Sequence, residues 1–130
     1  MIQVNELRIG NNILLLGEVC TIECISNLPK RKEMYWIKTK EFIDTKIIHF
    51  KPIPLTEEIL LKCGFYYSDD DDEFLEYKVF KSFKFHADYS DKFSCISYRI
   101  NDTTNEIKFL HQLQNLYWCL CGEELTFNNL

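Results

Sequence analysis

The stretch His111-Gln-Leu-Gln-Asn-Leu-Tyr-Trp-Cys-Leu-Cys-Gly-Glu-Glu-Leu125 limits what this chain can fold into more than any other segment. Leu113, Leu116, Tyr117 and Leu120 recur at i, i+3, i+4 and i+7, the spacing of one apolar face on a helix. His111, Asn115 and Trp118 gather on the opposite side, with Gln114 nearby. An apolar helix face demands a surface to cover, and a large indole pointing away from that surface demands a second layer or a partner.

The surface is expected from the segment before it. Leu75, Tyr77 and Val79 alternate with Glu76 and Lys78, and Phe83, Phe85 and Ala87 alternate with Lys84 and His86. Two further strands are expected at 93–100 and 106–110, separated by polar Asn101–Asn105, with Tyr89–Lys92 as a turn. A period of two with one apolar side is the pattern of an antiparallel sheet that faces a core on one side only. Thr103-x-x-Glu106 also fits a helix capping box, but Ile107 and Phe109 alternate with Glu106 and Lys108, which favours a strand there.

The first half predicts short strands at Ile13–Leu16, Val19–Ser26, Met34–Lys38 and Ile47–Phe50, with a turn at Gly17-Glu18. Their brevity and spacing suit a small curved sheet or an SH3-like barrel. Lys51-Pro-Ile-Pro-Leu55 is a connector, because two prolines remove two backbone donors. Thr56-Glu57-Glu58 opens a short helix with a capping hydroxyl and two first-turn carboxylates, and Gly64 ends it. The fold class is therefore α+β, with an N-terminal β unit over 1–52. A helix, an antiparallel sheet and a covering C-terminal helix follow over 53–130, all in one compact domain.

Composition narrows the function. A net charge of −5 argues against binding nucleic acid by bulk electrostatics, and the one basic run, Lys30-Arg31-Lys32, reads as a solvated loop. The longest aliphatic run, Ile13–Leu16, is too short to span a membrane, and the N-terminus has no export pattern, so a cytoplasmic location is expected. Reduced thiols follow from that location. Cys20 and Cys24 have the even separation that places both on one strand face, and Cys119 and Cys121 flank Leu120. Neither spacing is that of a structural zinc pair, and buried free thiols are the expectation.

Candidate chemistry is sparse. His49, His86 and His111 could each serve as a general base, but no nucleophile elbow, phosphate loop or H-E-x-x-H stands beside them. Ser68 is followed by Asp69, Asp70, Asp71, Asp72 and Glu73; five adjacent acids read as a solvated loop that could dock on a protein. They lack the glycine and spacing of a calcium loop, so no metal or cofactor is expected. The stripe of His111, Asn115 and Trp118 has three readings: a second small core, a protein interface, or a pocket where a ring stacks on the indole.

Three segments carry a resemblance: Asn5-Glu-Leu-Arg-Ile-Gly-Asn11; Lys51-Pro-Ile-Pro-Leu-Thr-Glu-Glu-Ile-Leu-Leu-Lys-Cys-Gly-Phe65; and His111-Gln-Leu-Gln-Asn-Leu-Tyr117 with Gly122-Glu-Glu-Leu125. The chain resembles a group of small proteins carried by Bacteroides-type bacteria and their phages or prophages. What the resemblance implies is context: an accessory protein of a mobile element that binds a host protein or a small nucleotide ligand. It brings no catalytic residue with it. A self-assembling or virion component, with homo-oligomerisation as its sign, is the rival class.

Overall fold

A computed structural model describes residues 2–27, 35–68, 71–79, 83–88, 96–100 and 103–125. The chain forms two compact units, Met1–Ile53 and Pro54–Leu130, and its class is α+β. The basic run Lys30–Lys32, Asp69, Asp70, the turn at 89–92, Cys95 and the first residues of the strand expected from Phe93 lie outside the described residues.

The first unit is a five-stranded antiparallel sheet in the order β4-β3-β2-β1-β5. Its strands are β1 (Asn12–Leu15), β2 (Glu18–Asn27), β3 (Tyr35–Thr39), β4 (Thr45–Lys46) and β5 (Phe50–Lys51). Ile13, Leu15, Cys20, Ile22, Ile37, Ile47 and Phe50 form its buried core, with Ile2 alongside. A two-residue loop joins β1 to β2, since Leu15 pairs with Glu18. Leu16 and Gly17 both take positive φ, +52° and +84°, the arrangement that matches the twist of paired strands. Leu16 thus belongs to the turn and not to the strand, and its side chain is 90% exposed.

Two expectations fail in this unit for local reasons. Ile47–His49 is a 3-10 turn rather than a strand. A three-residue period buries Ile47 and Phe50 together and leaves Ile48 and His49 exposed. The second failure is in β2, where Ile22 pairs with Thr39 but Cys24 with Lys38, so Glu23 is an extra residue. Such a bulge reverses the alternation of faces beyond it. Cys20 is buried and Cys24 is exposed.

The second unit opens with α1 (Glu57–Lys62). Thr56 caps it as expected, its Oγ1 accepting from the Ile59 amide at 3.2 Å. Glu58 and Lys62 pair one turn apart at 2.8 Å, and the hydrogen bond from Lys62 holds the Glu58 carboxyl below its ordinary range. At the far end the Phe65 amide donates to Leu60 O and the Gly64 amide to Leu61 O, with Gly64 at φ +96°. Those two bonds make a Schellman stop, accompanied by burial of both Leu60 and Phe65.

Five antiparallel strands follow in the order β10-β9-β8-β7-β6: β6 (Tyr66–Ser68), β7 (Asp71–Val79), β8 (Phe83–Asp88), β9 (Ile96–Ile100) and β10 (Thr103–Ile107). The strand preferred over a capping box is present, but it starts at Thr103. The polar residues Thr103–Asn105 therefore pair with Tyr98–Ile100 instead of separating strands.

The last helix, α2, spans Leu110–Cys121. Its entry is fixed by Gln112, whose Oε1 accepts from the Lys108 and Phe109 amides at 3.1 and 3.2 Å. A strap from the start of the unit reaches the same place: Pro54 bridges Phe109, and the Leu55 amide donates to Lys108 O at 2.9 Å. Gly122 closes the helix in the left-handed region at φ +69°, its amide donating to Trp118 O at 2.8 Å.

Candidate functional site

The geometry of α2 departs from its sequence pattern in one instructive way. Leu110, His111, Leu113 and Gln114 are all buried, so the first turn and a half is enclosed on nearly every side. Asn115, Leu116 and Tyr117 are half-buried, and Trp118 and Cys119 are exposed. Burial thus changes along the axis as well as around it. The apolar face is also turned: Leu113 lies in it with Leu110 and Gln114, whereas Leu116 and Leu120 are only half-buried.

The expected stripe therefore divides. His111, 1% exposed, belongs to the interior, and its ring stacks on that of Phe109 with centroids 5.9 Å apart. A buried imidazole in that position does not offer its edge to a ligand from solvent. Gln114 is likewise buried. Trp118 is the exception: it stands 41% exposed, with Asn115 one turn before it. The indole remains accessible at the end of a helix whose other end is fixed.

The acidic run is corrected in part. Asp71, Asp72 and Glu73 lie within β7 rather than in a loop. Tyr67 pairs with Leu75 and Ser68 with Asp71, so β7 carries three more residues than β6 across that step. The β8 register begins only at Phe74, opposite Asp88. The three acids thus occupy the part of β7 beyond its regular pairing with β8, the place in a strand where like charges disturb the ladder least.

The thiols are more varied than expected. Cys20 and Cys63 are buried, Cys24 and Cys119 exposed, and Cys121 intermediate, all in the free form. Burial pushes the Cys63 thiol up to about 12 and raises those of Cys20 and Cys121 as well. Among the described residues, no group of three or more His, Cys, Asp or Glu side chains comes together to hold a metal ion, and no helix is long and apolar enough to cross a membrane.

One recess has no counterpart in the sequence reading. Thr21, Glu23, Cys24, Lys38 and Lys40 line a concavity of about 550 Å³ in the first unit, with Ile9 and Gly10. Lys38 and Glu23, both in its lining, form an ion pair at 3.7 Å. The bulge at Glu23 shapes this recess, and nothing in residue type or spacing announces a bulge.

Compared with protein-family models, curated proteins and solved structures, the chain matches none.

Proposed function

We propose that this is a non-catalytic binding protein of phage or mobile-element origin, working in the host cytoplasm, that interferes with a host process by docking on a host protein. One observation carries the reading: Trp118 is 41% exposed on the last turns of a helix whose first turns are buried. A tryptophan held on a rigid element at low conformational cost is the type of side chain that anchors protein interfaces. Burial of His111 and Gln114 favours docking over capture of a nucleotide in a pocket on this helix, because a pocket would need those polar groups at its wall.

Capture from host lysate by the tagged chain, followed by reconstitution with the purified partner, tests it. Trp118→Ala should weaken the reconstituted complex by at least tenfold, as expected for an interface anchor, while leaving Tm almost unchanged. Equal binding by the variant, or a large fall in Tm, would overturn the assignment of this residue. Light scattering separates the rival class: a defined oligomer formed by the chain alone would favour a self-assembling component.

A further inference from the structure

The recess beside the Glu23 bulge has a fixed floor. The bulge sets two consecutive residues, Glu23 and Cys24, on the outer side of β2, and both are exposed. On one flank the Gly10 amide donates to Ile22 O at 2.9 Å and the Ile22 amide to Asn11 O at 3.0 Å, which ties residues 9–11 to β2. On the other flank the Lys40 amide donates to Thr21 O at 3.1 Å, and the Thr21 amide donates to Glu41 Oε2 at 3.0 Å. These main-chain groups are satisfied within the protein, so recognition at this recess falls to side chains.

The side chains are cationic on one part of the lining and aliphatic on another. Lys38 and Lys40 both line the recess, and Cys24 is the direct cross-strand partner of Lys38. Glu23 counters Lys38 at 3.7 Å, but the two side chains are 56% and 41% exposed, and a pair that open to water holds weakly. Glu41 is engaged on the Thr21 amide, and among the described residues Lys40 has no acid partner. Two ammonium groups against one carboxylate leave the lining with one positive charge in excess. Ile9, 59% exposed, adds the apolar part.

The charge of the whole chain conceals this local excess. The first unit carries eight Lys and Arg against six Asp and Glu, whereas the second carries seven against fourteen. An anion therefore meets attraction on the first unit that the chain's net −5 would not suggest. A monoanion matches one excess positive charge, while a phosphate monoester would bring a second negative charge with no counterpart. The volume, about 550 Å³, lies within the usual range for small-molecule sites.

We propose that this recess binds a small organic monoanion, with a carboxylate on Lys40 and Lys38 and an apolar body against Ile9. The inference rests on the first unit alone and stands or falls separately from the Trp118 reading.

Cys24, a free thiol in the lining, reports occupancy directly. The test is alkylation of the full chain by iodoacetamide, read by peptide mass spectrometry, with phenylacetate as the probe. Phenylacetamide, acetate and phenyl phosphate are the comparators, and Cys119, exposed in the second unit, is the internal control. Phenylacetate should slow alkylation of Cys24 saturably and leave Cys119 unchanged. Phenylacetamide and acetate, lacking the charge or the ring, should each protect about fivefold less well. Lys40→Gln should raise the half-protecting concentration about fivefold, and Glu23→Gln, which releases Lys38, should lower it. A general loss of folding cannot produce those opposite shifts. Protection of both thiols alike, equal protection by phenylacetamide, stronger protection by phenyl phosphate, or none at millimolar phenylacetate would overturn the site.

Discussion

Cys20 and Cys24 stand four residues apart on β2, yet Cys20 is buried and Cys24 is exposed, because the pairing slips by one residue between Ile22 and Cys24. Native-state labelling with a maleimide, mapped by peptide mass spectrometry, should therefore modify Cys24 and Cys119 and spare Cys20 and Cys63 until denaturant is added. Equal labelling of Cys20 and Cys24 would mean that the bulge is absent in solution.

The β1–β2 turn places a leucine where asparagine or glycine fits best. Leu16 holds φ +52° and is 90% exposed, so its side chain gains no burial in return for a backbone conformation that disfavours a branched residue. Leu16→Asn should stabilise the protein by about 1 kcal/mol. The urea midpoint should rise with an unchanged slope, and a lower midpoint would show that the turn adopts another geometry.

Buried Cys63 makes stability fall at alkaline pH. Its folded pKa, raised by desolvation to about 12, lies above the ordinary thiol value of 9.0. Between those values the unfolded chain releases the proton and the folded one keeps it, so unfolding is favoured progressively as pH rises through that window. The loss should approach about 1.4 kcal/mol per pH unit at its steepest. Denaturation midpoints of the wild type and Cys63→Ala, compared from pH 8 upward, should show a shallower decline in the variant. Parallel curves would place the thiol in contact with water.

Thr56 sets the start of the second unit. Removing the hydroxyl that accepts from the Ile59 amide by Thr56→Ala should cost about 1 kcal/mol, and Thr56→Ser should recover most of it. The same urea titration reads both, and a Ser variant as weak as the Ala variant would point to methyl packing rather than capping.

Much of this was legible in the residues, for physical reasons that also explain the failures. Thr56 and Gly64 marked the ends of α1 because capping is local chemistry, decided within four residues. The alternation from Leu75 to Ala87 marked β7 and β8 because a sheet with one buried face sorts residues by parity. Parity also hid the bulge at Glu23, since one inserted residue changes which face follows without changing composition. Ile47–Phe50 is apolar enough for either a strand or a 3-10 turn, and only the burial of Ile47 and Phe50 together distinguishes them. Helical periodicity placed His111 beside Trp118 correctly in angle, but a periodicity describes directions around an axis, not burial that varies along it.

Three of the four sheet rims are short. The outer strands β4 and β5 have two residues each and β6 has three. An invading extended segment could recruit very few main-chain amides and carbonyls along such borders, so templated growth into fibrils has little foothold on three of the four margins. A partner met at β4, β5 or β6 would have to engage side chains rather than extend the hydrogen-bonded ladder.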